Sequence, residues 1–320
     1  MGPKVTIAAL ALACGAGVQT PEPASAPDAT SLDRARAASA GRSATPQQLR
    51  LVDVPTPTGP ARSLFNGRDL GDWDSWLGYP DPAVTYRDDP GASPLGTSRD
   101  RTGDFAVRMI DGAPAIWIKG ETWGSLVHRA DLRDYHLRLE FKWGEKTYAP
   151  RESLPRNNGL LYHTHGEPGA VFGTWSASME FEIMRGSTGM LVTVGRNVRG
   201  RTTVAHDANL IAPHLRFQLG GQEVDMVNGT PTWNVETARD VERPIGQWNT
   251  LDLYVVGDRA VHVVNGVPVA QVRDMATMAP DGSRRPLTHG RIQLQSEGAE
   301  TWFRNITVEP IATIPRIVAE

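Results

Sequence analysis

Tyr135-His136-Leu137-Arg138-Leu139-Glu140-Phe141-Lys142-Trp143 alternates without a break. The Tyr, both Leu, the Phe and the Trp fall on one side, and His136, Arg138, Glu140 and Lys142 on the other. Successive side chains of an extended chain point to opposite faces, so this period of two predicts a strand with one face in a core and one in water. Residues 248–256, 260–264 and 290–296 read as further strands. Asn265-Gly266 is a hairpin turn signal and Gly257-Asp258 a weaker one. Turn signals recur at short intervals, with no long amphipathic helix and no internal repeat. The chain is therefore predicted to be all-β, a sandwich or jelly roll of antiparallel sheets.

Composition narrows the classes. The 320 residues carry 33 Lys and Arg against 36 Asp and Glu, a formal charge of −3. That balance argues against nucleic-acid binding through bulk charge. With 32 Gly and 24 Pro, a helical bundle or coiled coil is not expected. No Gly-x-Gly-x-x-Gly follows a strand and opens a helix, so a dehydrogenase role is not expected.

The start of the chain reads as an export signal. Lys4 precedes an apolar run over residues 5–13, too short to span a bilayer. Cys14, the single cysteine, follows Leu10-Ala11-Leu12-Ala13. This resembles a bacterial lipobox with Ala11 in the usual Leu position. The expectation is a leader over 1–18 that exports the chain to the periplasm or cell surface, with Cys14 either the lipidation site and the only membrane contact or a free thiol of a secreted protein. Residues 19–60, rich in Ala, Pro, Ser and Thr, read as a disordered tether. One large domain over 61–314 and a short tail over 315–320 complete the chain.

Polar residues on the strands supply candidate chemistry. Ser178-Met179-Glu180-Phe181-Glu182-Ile183 puts Glu180 and Glu182 on one face and Met179, Phe181 and Ile183 on the other. Upstream, Asn158-Gly159-Leu160-Leu161-Tyr162-His163-Thr164-His165 sets His163 and His165 on a shared face. Two imidazoles with one of the glutamates would make a mixed nitrogen and oxygen site for a divalent cation. The plain reading of His165 is a loop-edge residue, and that of a polar sheet face is simple exposure.

Several segments together resemble the domain of unknown function 1080 family, the 3-keto-disaccharide hydrolases, also described as 3-keto-glucoside lyases and hydratases. Leu64-Phe65-Asn66-Gly67-Arg68-Asp69-Leu70 with Trp73 is similar to its opening motif. Residues 135–142 resemble its central strand, and Asn157-Asn158-Gly159-Leu160-Leu161-Tyr162-His163 its "N-S-G-I-x-Y-H/R" run. Residues 178–183 are similar to "S-x-E-x-Q-I", with Glu182 for the common Gln. Gly246-Gln247-Trp248-Asn249 with His262 to Gly266, and Gly290 to Gln295 with Phe303-Arg304-Asn305-Ile306, match the closing motifs. Met190 departs from the pattern, standing where related sequences often carry an acid.

The resemblance implies a concanavalin A-like jelly roll acting on sugars oxidised at C3. A C3 ketone acidifies the C2 proton, so a base can form an enolate and the C1 substituent can leave. Such a route needs a base, an acid for the leaving oxygen, and donors facing the enolate oxygen. Glu180, His163, Glu182 and Glu140 are the candidate proton carriers. Arg138 and Lys142 are candidate donors to the enolate oxygen. Asn158, Trp175, His262 and Gln295 complete the expected substrate contacts, with Trp175 as sugar platform. For His262 a hydrogen-bonded structural role is the competing reading, as it is for Arg304 and Asn305. A separate sugar 3-dehydrogenase would supply the oxidised substrate.

Two other classes stay open at this level. One is a non-catalytic carbohydrate-binding module, since fold does not fix function. The other is a conventional jelly-roll glycosidase. Those carry "E-x-D-x-x-E" on one strand, and here Arg185 occupies the place of the last acid.

Overall fold

The structure, a computed structural model, describes residues 43–97, 103–210 and 214–320. Cys14, the leader and the first part of the tether lie outside the described residues. Strands dominate, and the single helical turn among the described residues is a 3-10 turn, Pro82–Val84.

Two antiparallel sheets face each other. The first has seven strands, in the order Asn234–Val235, Leu191–Val194, Ala177–Met184, Asn157–His165, Arg291–Ser296, Gly124–His128, Trp73–Leu77. The second is built around Tyr135–Thr147, which pairs with Asn249–Val256 on one side and Ala299–Pro310 on the other. Tyr135, Leu137, Leu139, Phe141 and Trp143 are each 1% exposed or less. They meet Met179, Phe181 and Ile183 of the first sheet in one apolar core. The alternation seen in the sequence thus becomes the packing between the layers. Asn265 (φ 50) and Gly266 (φ 81) both adopt positive φ between the strands Arg259–Val264 and Val267–Met278. Two consecutive left-handed residues give the turn whose twist matches a hairpin.

The polar side of Tyr135–Thr147 is the outer face of the second sheet, away from the first. Arg138 pairs with Asp252 (3.4 Å), Lys142 with Asp111 (2.9 Å), and Glu140 accepts from Arg304 Nε (2.6 Å) and Asn305 Nδ2 (3.1 Å). Expected as proton carrier and enolate donors, these three residues form a surface ion-pair lattice instead. Period two places them with one another but cannot say which side of a sandwich carries the site.

His262 is a core residue rather than a substrate contact. It is fully buried and stacked on Phe181 (centroids 4.3 Å). Nδ1 lies 2.9 Å from the Gly189 carbonyl and Nε2 3.0 Å from the Tyr162 hydroxyl. A carbonyl only accepts, so Nδ1 carries the proton and Nε2 accepts from Tyr162. Burial pushes its pKa down to about 3, so the ring is neutral throughout the working range.

The fold also begins earlier and ends later than the composition suggests. Leu49–Val52 pairs antiparallel with Arg316–Ala319, with Leu49 opposite Ala319. Leu49 and Ile317 both join the core. Gln47 exchanges hydrogen bonds with the backbone of Leu219. The Ala- and Pro-rich composition hides one short alternating stretch, and that stretch is enough to dock residues 43–60 and the C-terminal tail.

Replacing His262 by Ala strands the Tyr162 hydroxyl and the Gly189 carbonyl and opens a cavity beside Phe181. The expected cost is about 3–5 kcal/mol of stability, read from denaturant unfolding.

Candidate functional site

A cleft of about 880 Å³ lies on the outer face of the seven-stranded sheet. Its floor follows from strand parity. Ala177–Met184 buries Met179, Phe181 and Ile183 in the core, which sends Glu180 and Glu182 outward. In the next strand, Gly159 is registered opposite Glu182 and Leu161 opposite Glu180. Beyond it, Ile292 and Leu294 point to the core while Gln295 and Glu297 reach the cleft. Gly159 keeps the middle of the floor open, because a Cβ there would collide with the Glu180 carboxylate and the Gln295 amide.

Three carboxylates converge on this floor, with Glu180, Glu182 and Glu297 exposed by only 2%, 6% and 5%. Burial first, then the negative charge of Glu182 and Glu297, pushes Glu180 well above the usual carboxylate range. Burial and Glu297 push Glu182 up to about 8, opposed by Arg151 and by a hydrogen bond to Asn157. Burial raises Glu297 too, against the Arg151 guanidinium (Nη1 to Oε1, 3.3 Å), Asn157 and the Tyr86 hydroxyl (3.3 Å). The site therefore holds fewer negative charges than carboxylates at neutral pH. Charge concentrates where Arg151 stands, and protons stay on the Glu180 and Glu182 pair.

Aromatic side chains form the walls. Trp175 is 3% exposed, stacked near Trp123 (centroids 6.1 Å) and Tyr86 (6.1 Å). It is a wall of the cleft, while the rings open to solvent are Tyr86, Phe172 and Trp233. Met190 also lines the cleft, with Asn234 Nδ2 3.5 Å from its sulfur. A further carboxylate, Glu236, accepts from Ser187 Oγ (2.7 Å) in the same turn as Met190. Arg185 sits at the rim, paired with Glu242 at 2.9 Å.

Of the residues singled out in the sequence, the structure brings together Glu180, Glu182, Gln295 and Trp175. It removes Asn158 and both histidines. Asn158 has the opposite parity to Gly159, and its amide donates to the Ala299 carbonyl (3.2 Å) and Thr301 Oγ1 and accepts from Glu297 N (2.8 Å). The register shifts between Tyr162 and His165, and His163 takes a positive φ of 50°. This bulge breaks the alternation that would have paired the imidazoles. His163 Nε2 donates to the Gly257 carbonyl (3.1 Å) in a turn of the other sheet, and His165 Nδ1 to the His163 carbonyl (2.9 Å). Burial lowers His163 to about 4, so it is neutral and faces away from the cleft. Among the described residues no group of three or more His, Cys, Asp or Glu has the arrangement of a metal site.

Sequence reading missed Glu297, Asn157, Arg151 and Tyr86. Extending the 290–296 alternation by one residue reaches Glu297. Applying the parity of Gly159 selects Asn157 over Asn158. Arg151 and Tyr86 come from irregular segments, where no periodicity marks which residues face the floor.

A family model described as a 3-keto-alpha-glucoside-1,2-lyase-like domain matches residues 60–309. Among solved structures, the chain is similar to a candidate glycosyl hydrolase from Parabacteroides distasonis ATCC 8503, with 14% identity and a TM-score of 0.44 over 79% of this chain and 94% of that one. It is also similar to a protein of unknown function with a galectin-like fold from Bacillus subtilis, with 10% identity and a TM-score of 0.42 over 82% of this chain and 99% of that one. A carbohydrate-binding module, CBM66, from Bacillus subtilis is similar at 10% identity and a TM-score of 0.35, over 64% of this chain and 91% of that one. No curated protein matches the chain.

A Gly159→Ala substitution should push Glu180 and Gln295 out of place and lower kcat about a hundredfold. The unfolding midpoint should move far less, because the added methyl meets cleft side chains rather than the core.

Proposed function

The chain belongs to the 3-keto-alpha-glucoside-1,2-lyase-like family, and from that membership we propose that it is an enzyme that cleaves or hydrates 3-keto-glycosides. The observation that carries this reading is the buried carboxylate trio on the floor of an aromatic-walled cleft, one member held by Arg151 and the other two pushed toward their protonated forms by burial.

Each requirement of the chemistry has a residue. Glu182, as carboxylate, removes the C2 proton, and the electron pair moves onto the C3 oxygen as an enolate. The enolate re-forms the carbonyl and expels the C1 oxygen, leaving a C1–C2 double bond. Glu180, kept protonated by burial, gives its proton to the departing oxygen. Donors to the enolate are the N–H groups of Arg151 not engaged with Glu297, and the Gln295 amide. Hydration runs the same residues backwards: the Glu180 carboxylate deprotonates water for attack at C1, and protonated Glu182 returns a proton to C2. Both glutamates finish as they began, so one site serves elimination and hydration. A carboxylate with a pKa near 8 is a stronger base toward a C–H bond than an ordinary glutamate.

Because the substrate must already be a ketone, a separate sugar 3-dehydrogenase is proposed to act first. We propose further that the leader and Cys14 export the protein, released or lipid-anchored, so that it acts outside the cytoplasm.

Incubating the protein with a 3-keto-glucoside and with its parent glucoside in deuterium oxide tests the reading by NMR. The expected result is aglycone release from the keto sugar only, giving either a product with a C1–C2 double bond and no C2 hydrogen or, after hydration, one with deuterium at C2. Release from the parent at a comparable rate, or a cleavage product that keeps the original C2 proton, would overturn it. The base is active when ionised, so kcat/KM should climb as pH rises through about 8. A Glu182→Gln variant should lose that limb together with at least a hundredfold in rate.

A further inference from the structure

Two side-chain amides border the carboxylate floor, and they show it opposite ends. Asn157 presents its N–H groups: it donates to Glu182 and to Glu297, which favours the ionised form of each. Gln295 presents its oxygen to Glu180. These two residues stand on the strands Arg291–Ser296 and Ala177–Met184, on either side of Asn157–His165. Gly159 in that middle strand has no side chain, so they reach across it toward each other. A Cβ at Gly159 would overlap Glu180 Oε1 and stand 2.5 Å from Gln295 Oε1. The two oxygens thus crowd the space of one methyl group. Both residues are 2% exposed, and neither oxygen is open to solvent or accepts a hydrogen bond from another protein group.

A buried acceptor without a donor is costly, and two such oxygens side by side also repel. One proton between them removes both penalties. An amide oxygen does not carry that proton, whereas a carboxyl group does. The charges around Glu180 point the same way. The arginines of the cleft are engaged elsewhere, Arg151 with Glu297 at 3.3 Å and Arg185 with Glu242 at 2.9 Å. Negative charge on Glu297 or Glu182 disfavours a further ionised group beside it.

We infer that Glu180 carries its proton on Oε1 and donates it to Gln295 Oε1 across Gly159, which makes Gln295 a positioning residue that marks Glu180 as the acid, while Asn157 marks Glu182 as the base. This rests on the reading of the cleft as an eliminating site. It goes beyond that reading by giving the means through which two glutamates on one strand face take opposite roles. In turnover the terminal torsion of Glu180, a soft one, swings the O–H toward the cleft. The proton then passes to the departing oxygen as its bond to C1 breaks, and Glu180 is left as a carboxylate.

Infrared difference spectroscopy reads the stored proton directly. Wild-type protein at neutral pH should show the carbonyl stretch of an un-ionised carboxylic acid, absent in Glu180→Gln and moved or lost in Gln295→Leu. A spectrum without that band, as a reversed amide facing a Glu180 carboxylate would give, overturns the inference. So does a band that Gln295→Leu leaves in place. Turnover supplies the second readout. In Gln295→Leu, kcat/KM for the 3-keto methyl glucoside, whose leaving oxygen needs the acid, should fall about tenfold. For the 3-keto 4-nitrophenyl glucoside, whose leaving group departs without a proton, the fall should stay under about twofold. Equal losses on the two substrates would make the part of Gln295 merely structural and overturn its positioning role. Gln295→Met serves in the same comparisons if the leucine variant does not fold. If no keto sugar is turned over and the Glu180 band behaves as expected, the shared proton stands and the eliminating chemistry falls.

Discussion

Three carboxylates held out of water on one sheet face are the constraint around which this molecule is organised. Burying an ionised carboxylate costs several kcal/mol unless the charge is paired. Here only Glu297 has a cation in contact, Arg151. The other two reduce the cost by keeping protons, and a retained proton is what an acid–base enzyme needs at its working pH. The arrangement is rigid because its supports are. Phe181, between Glu180 and Glu182 in sequence, is clamped against His262 in the core. Gly159 supplies the gap through which carboxylates from one strand and an amide from another approach, a gap no side chain could leave.

How much of this was legible depends on where periodicity operates. The alternation of 135–143 fixes a strand and its buried side, and the same rule orients Glu180 and Glu182 away from the core. It fails where the backbone leaves it. The bulge at His163 reverses the parity of everything beyond Tyr162, so two histidines that share a face on paper do not share one in space. The rule is also blind to which outer face of a sandwich carries the site. Arg138, Glu140 and Lys142 are as polar as the cleft floor, yet each is satisfied by a neighbour across the second sheet. Burial is the discriminating quantity, and it is a property of the loops that cover a face. Tyr86 and Arg151 belong to such segments and carry no local signature. Where composition argued for a tether, one alternating island, Leu49 to Val52, was enough to find a partner strand.

That partner strand has a temporal consequence. Leu49–Val52 pairs with Arg316–Ala319, so one strand waits for a partner made much later in the chain. The site has the same dependence on a smaller scale: Glu180 and Glu182 lie in the middle of the chain, while Gln295 and Glu297 arrive more than a hundred residues later and dock on the far side of Asn157–His165. Contacts of such long range are slow to close, since loop entropy must be lost before they form. A ribosome-bound or truncated chain therefore displays half a sheet floor with no Glu297 beside it. The full carboxylate floor assembles only after Arg291–Ser296 has docked beside Asn157–His165.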